Sequence, residues 1–187
     1  MDTSMALAYP ASKFEADNNL ADQNVLLKYR TAADIVNGTT GIECSMGILM
    51  APLERTLKLV LNRVAAGASV QDLCQYGDDL IEAYTSKIFN KGKVEKGIAF
   101  PTSVCLNNLV QYFSPQAEES DVLKPGDLVK IELGVHIDGY IATAAHTTTL
   151  NHDPAQPVTS RQADAICAAH YAAETALRLA KPGVKVR

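Results

Sequence analysis

From Asp22 onward, Val25, Leu26, Tyr29, Ala32, Ala33 and Val36 recur near a 3.6-residue period, which predicts an amphipathic helix. Asn37-Gly38-Thr39-Thr40-Gly41 stops it, with two glycines in quick succession. The following stretch, IECSMGILMAP, is apolar without either regular period and predicts no element. Helical spacing resumes over 53–64, with Leu57, Val60, Leu61 and Val64 on one side, and ends at Ala66-Gly67. Ser69, with Asp72 three residues on, has the form of an N-cap with an acid in the first turn. The helix it opens would turn Val70, Leu73, Cys74, Leu80, Ile81, Tyr84 and Ile88 inward. Over 97–115 the pattern becomes β-rich, broken by Pro101 and by Asn107-Asn108, and predicts two strands and a turn. Pro125-Gly126-Asp127 is a turn leading into the alternating run DLVKIELGVH, and Asp138-Gly139 separates that run from YIATAAHTTTL. An Asp-Gly pair between two such runs predicts a tight hairpin. Thr159 with Gln162 has the spacing of a capping box. The helix that follows carries a narrow stripe of Ala163, Ile166, Ala169, Ala173, Ala176, Leu177 and Ala180, suited to close packing on a sheet, and ends at Lys181-Pro182-Gly183.

Composition narrows the reading. At 187 residues, 47% hydrophobic and 20% charged, the chain suits one domain with a sizeable core. A net charge of -4 excludes a wholly nucleic-acid-binding surface. It leaves room for a local basic patch, and Lys87, Lys91, Lys93 and Lys96 are the candidate nucleic-acid-binding residues. The plainer reading of that run is a solvated helix end or loop. Cys44, Cys74, Cys105 and Cys167 share no CxxC spacing, which disfavours a zinc knuckle or a redox pair and suggests buried free thiols. No apolar run reaches the ~20 residues that span a bilayer, and the N-terminus has no basic segment ahead of its apolar patch. Residues 1–21 therefore read as a loose arm, and the expected location is cytoplasmic and nuclear, with no membrane partner.

If Asp138-Gly139 is a two-residue turn, Ile137 pairs with Tyr140, His136 with Ile141, Gly134 with Thr143, Glu132 with Ala145 and Ile131 with His146. Val129, Ile131, Leu133, Val135 and Ile137 then form an apolar face that must be core. Glu132 and Thr143 fall on the other face as diagonal neighbours, within reach of a common ligand. Glu132 could pair with Lys130 or a backbone donor, or bind a metal. His136 and His146 read as structural strand histidines, and His152 and His170 have no ligand spacing. Neither Ser114 nor any cysteine has the partners of a nucleophile.

The segments KGIAFPTSVCLNN, the aromatic-Ser-Pro at Phe113-Ser114-Pro115, and LKPGDLVKIELGVHIDGYIATAAHT resemble the methionine aminopeptidase superfamily. The match is nearest to its proliferation-associated branch, the ErbB-receptor-binding and curved-DNA-binding proteins. The resemblance implies an α+β fold, half of a pita-bread (creatinase/aminopeptidase) fold with a curved antiparallel sheet backed by helices, and it makes residues 22–187 the N-terminal half of such a domain. In the enzymes of that superfamily two hairpin aspartates hold a pair of divalent metals. Here Glu132 stands at the first of those places and Thr143 at the second, while Tyr112 stands where the enzymes carry a substrate-facing histidine. Their remaining ligands, a His and two Glu, lie in the C-terminal half. The resemblance thus implies a vestigial pocket of Tyr112, Glu132 and Thr143, no catalytic residues, no metal and no other cofactor. It implies a non-catalytic growth- or translation-related factor with ribosome or RNA partners, and with DNA and protein partners also in view. Two alternatives are a working metal-dependent methionine aminopeptidase and an interaction module that binds peptides without cleaving them.

Against that family's pattern, ADIVN reads smoothly into RTLKLVLNRV, as one helix would, so that residues 38–54 look inserted. Ile48, Leu49 and Met50 suit neither a loop nor a surface, and a retained intron or gene-model error accounts for that makeup better than a functional loop does.

Overall fold

The hairpin organises the molecule. Asp138 and Gly139 both take positive φ, 55° and 84°, the backbone of a type I′ turn, whose twist matches that of the strands it joins. In the computed structural model, which describes residues 19–37, 56–116, 121–150 and 157–185, β2 (Leu128–Ile137) and β3 (Tyr140–Thr149) run antiparallel through an unbroken register. Every opposed pair expected from the sequence is found, from Ile137 with Tyr140 to Ile131 with His146. β1 (Lys96–Leu106) adds on the far side of β2, giving the order β1-β2-β3. The segment 97–115 therefore supplies one strand and not two. Pro101 stays within that strand because the register shifts between Ile98 and Phe100 and again before Ser103, and an irregular stretch tolerates a residue with no N–H. After the Asn107-Asn108 turn the backbone makes a single ladder-like bond, Val104 N to Phe113 O at 2.9 Å.

Three helices cover one face of this sheet: α1 (Gln23–Asn37), α2 (Thr56–Asn62) and α3 (Val70–Thr85). Asp22 opens α1, accepting from Asn24 N at 2.7 Å, and Ser69 caps α3, accepting from Asp72 N at 3.2 Å. The core lies between the layers. Val129, Ile131, Leu133, Val135 and Ile137 of β2 pack with Ala32, Ile35, Val36, Val60, Val70, Leu73 and Ile81. Leu123 is pinned among them by reciprocal backbone bonds with Ala68 and Gly67. α1 also clasps the hairpin turn. Lys28 Nζ donates to Asp138 Oδ2 at 2.7 Å, and the Tyr29 ring meets Tyr140 edge-on at 5.1 Å.

The last helix, α4 (Ser160–Leu179), departs from expectation. None of its residues is buried, and Leu177 is 71% exposed, so its alanine stripe does not pack on the sheet. Nor does the capping box form. Thr159 occupies the N-cap without a side-chain bond, and Gln162 Nε2 donates to Gly126 O at 3.1 Å instead. Among the described residues no helix is long and apolar enough to cross a membrane. Cys74 and Cys105 are buried as expected, but Cys167, on α4, is exposed. The expectations for the N-terminal arm over 1–18, for residues 38–54 as a segment, and for Cys44 and His152 fall outside the described residues.

Candidate pocket on the open face of the sheet

Alternation along β2 sends Lys130, Glu132, Gly134 and His136 to the face away from the helices. β1 places Cys105, Ser103, Phe100 and Gly97 beside them, in that order, and β3 places Thr147, Ala145, Thr143 and Ile141. Glu132 thus stands between Ser103 and Ala145 on the central strand. Thr143 is its diagonal neighbour across the β2–β3 pair, ~7–8 Å away between backbones. The structure brings these two residues together as the sequence implies.

Phe100, which sequence reasoning missed, forms the apolar wall of this face. A Cβ on Gly134 would lie 2.5 Å from Phe100 Cε1 and 2.9 Å from its Cζ, so the ring lies against the bare backbone between Glu132 and His136. The glycine inside a strand was the available signal, since such positions mark the close approach of another group.

Lys130 does not serve Glu132: its Nζ donates to Asn107 O at 2.8 Å. Among the described residues the half-buried Glu132 carboxylate has neither a hydrogen bond nor an ion pair. His136 is structural, its Nδ1 accepting from Gly139 N at 3.3 Å across the turn. His146 lies on the other face, exposed at the sheet edge near Leu61 and Val64, and His170 packs edge-on to Tyr171 at 5.7 Å.

Tyr112 lies along the outer edge of β1, one residue before the Phe113 carbonyl that binds Val104 N. It is 72% exposed and holds a left-handed backbone, φ 63°. That conformation costs a non-glycine residue ~1–3 kcal/mol and persists only where its surroundings enforce it. Leu109 and Val110 are exposed beside it, Val110 to 79%. Beneath this loop Cys74 Sγ approaches Phe113 O at 4.0 Å, and burial pushes the Cys74 thiol up to about 11.

The four candidate lysines share one connection, from the end of α3 to the start of β1. Lys87, Lys91 and Lys93 are exposed. Lys96 is not free in the same way, because its ammonium donates to Ile88 O and Asn90 Oδ1 and ties the loop to the strand. It is a structural lysine, which leaves three candidates for contact with an anionic partner.

A two-metal hydrolytic site clamps its ions between several carboxylates. The described residues offer one on this face, Glu132, opposite a neutral Thr143. Among them no group of three or more His, Cys, Asp or Glu side chains is placed to hold a metal. The donor set that the sheet brings together does not fit a metal pair.

Residues 49–187 match the model of metallopeptidase family M24. The chain is 56% identical over 128 residues to proliferation-associated protein A of Dictyostelium discoideum, covering 68% of this chain and 33% of that one. It is 40% identical over 173 residues to ERBB-3 binding protein 1 of Solanum tuberosum, covering 91% and 40%. The structure of a thermophilic Arx1 superposes with a TM-score of 0.70 at 31% identity, covering 84% of this chain and 39% of that one. The chain therefore spans between a third and two fifths of the length of these relatives, and its three-stranded sheet with a one-sided helical layer is part of their pita-bread architecture. By sequence and by fold, this chain belongs to metallopeptidase family M24, alongside the proliferation-associated and ErbB-3-binding proteins.

Proposed function

We propose that this chain is a non-catalytic, aminopeptidase-like factor that associates with ribosomes or other RNA through the loop joining α3 to β1. The observation that carries the non-catalytic half is the Glu132–Thr143 pair. The register sets Glu132 and Thr143 as diagonal neighbours on one face, at the two positions where the resemblance expects metal ligands, yet one of the two holds a neutral hydroxyl. Thr donates and accepts hydrogen bonds but carries no charge to balance a dication, and losing a bridging carboxylate removes both charge and geometry. The binding half draws on Lys87, Lys91 and Lys93, three exposed ammonium groups on one loop, and on the resemblance to a branch read as ribosome- and nucleic-acid-associated.

Co-sedimentation with purified ribosomes over a salt series tests the binding half. Binding should fall steeply with salt, and changing Lys87, Lys91 and Lys93 together to Glu should weaken it. Each phosphate neutralised by a lysine adds ~0.7 to the log–log salt slope on single strands, so the triple change should lower that slope by about 2. Salt-insensitive binding, or no binding, would refute this role for the loop.

One observation favours a second reading, a peptide-binding module without cleavage. Leu109, Val110 and Tyr112 are exposed on the segment that runs along β1, and the sheet face carries the Phe100 ring and a carboxylate, Glu132, with no partner among the described residues. An extended peptide with a free amino terminus would suit that combination. A peptide pull-down lost on Tyr112→Ala and Glu132→Gln, with ribosome binding unchanged, would favour it.

A further inference from the structure

Thr56, the first residue of α2, is fully buried, and its hydroxyl donates to the Ile35 carbonyl in the last turn of α1 at 2.9 Å. The two residues are 21 positions apart. Yet the bond has the form that threonines make inside single helices of this same chain. Thr31 donates to Leu27 O at 2.8 Å, Thr85 to Ile81 O at 2.8 Å and Thr175 to Tyr171 O at 2.7 Å, each returning to the carbonyl four residues earlier. Taking out residues 38–54, seventeen positions, would set Thr56 four places after Ile35. The bond would then be a fourth member of that series.

Burial gives the same length by a separate route. Val25, Ala32 and Val36 of α1 are buried, and Tyr29 between them packs on Tyr140. On α2 the buried residues are Thr56 and Val60. With seventeen positions removed, Thr56 falls three places after Val36 and Val60 seven places after it. The stripe then runs from Val25 to Val60 in steps of four and three, as one helix face does. One residue more or fewer would turn the Thr56–Val60 pair by about 100° away from the core.

We infer that α1 and α2 are two parts of one helix whose sequence is interrupted by a seventeen-residue insertion, and that the chain in which Asn37 is followed directly by Arg55 is a second folded form of this protein. Dividing a helix creates two additional ends, each with up to four backbone groups lacking an intrahelical partner. Joining α1 to α2 restores those bonds across the junction. The joined helix backs β2 and β3 from the side opposite the Glu132 face, so the two forms differ in their helical layer and share the pocket. The inference stands apart from whatever that pocket binds.

The test is a set of three deletions in the full chain, removing 38–53, 38–54 or 38–55, compared with the intact chain by thermal melting and far-ultraviolet circular dichroism. Removal of 38–54 should give the highest melting temperature of the four, several degrees above both neighbouring deletions, together with the largest helical signal per residue. The neighbouring deletions differ from it by a single residue and serve as the control for simple loop shortening. If removal of 38–54 is no better than its two neighbours, whether all of them fold or none does, the inference is overturned. It is equally overturned if the intact chain is the most stable of the four.

Discussion

Gly77→Ala sets two known effects against each other at the contact that seats β1 on the helical layer. Gly77 lies inside α3, where replacing glycine by alanine ordinarily gains ~1 kcal/mol of helix stability. Here a Cβ would stand 2.6 Å from Thr102 Oγ1 and 2.8 Å from its Cγ2. Thr102 cannot retreat easily. It is fully buried, it is branched at Cβ and so confined in χ1, and its backbone N–H is held by Asp78 Oδ1 at 2.8 Å. Overpacking a site of this kind costs ~1–3 kcal/mol, and the rigid neighbour puts this case toward the upper end. The clash should win, for a net loss of about 1–2 kcal/mol.

The Thr102 hydroxyl adds a second handle, since it is buried without a hydrogen-bond partner among the described residues. An unsatisfied hydroxyl costs ~1–3 kcal/mol, so Thr102→Ala should lose little, because relief of that penalty offsets the poorer packing. In the double variant the contacts to Oγ1 and Cγ2 are gone and only the Cβ of residue 102 remains close, at 3.1 Å, so part of the helix gain returns and the coupling between the two sites is about 2 kcal/mol. Urea denaturation followed by circular dichroism, with all four chains fitted for midpoint and slope, measures it. If Gly77→Ala stabilises the chain equally in both backgrounds, Thr102 does not press on α3 and the reasoning fails. The contact matters for the pocket, because Thr102 immediately precedes Ser103, the β1 partner of Glu132.

Two further outcomes follow from buried and charged groups. Alkylation of the native protein with iodoacetamide near neutral pH, read by peptide mapping, should modify Cys167 and spare Cys74 and Cys105 until the chain unfolds, because both are buried and burial raises the Cys74 thiol to about 11; rapid native labelling of Cys74 would contradict the packing under Phe113. The Asp127 carboxyl is held below its ordinary value of 3.8, first by the bond from Asn107 Nδ2 and then by that from Lys124 N. Its contribution to stability is therefore complete above that ordinary value and is lost as pH falls through the lowered one. Asp127→Asn should flatten the acid limb of a stability–pH curve, and an unchanged limb would show that this turn carries no linked proton.

How much of this was legible in the sequence depended on whether a signal was local. The hairpin register could be read because a two-residue turn fixes the pairing and a period of two fixes the faces, so one dipeptide, Asp138-Gly139, determined where Glu132 and Thr143 would stand. The Ser69 cap was legible for the same reason. The box at Thr159 failed because Gln162 found a tertiary acceptor, the Gly126 carbonyl, which no spacing rule includes. The alanine stripe of α4 specified close approach without naming a surface to approach, and among the described residues none receives it. Pro101 argued for two strands, but a register shift absorbed it. Phe100 on Gly134 and Thr102 on Gly77 are side chains meeting bare backbone, and glycine in the sequence marks such places without naming the partner. Lys130 was near enough to Glu132 in sequence to suggest a pair, yet the Asn107 carbonyl at the next turn took its ammonium.

The central proposal is that this chain carries an M24 hairpin without metallopeptidase chemistry. The direct measurement is release of N-terminal methionine from a short peptide by the purified chain with cobalt or manganese added, beside a metal-only blank and beside the Thr143→Asp, Tyr112→His and doubly substituted chains. The account expects no turnover above the blank for any of them, because one hairpin carboxylate, or even two, does not complete a two-metal site from the groups that the described residues supply. Metal-dependent methionine release by the unsubstituted chain, abolished by Glu132→Gln, would contradict it.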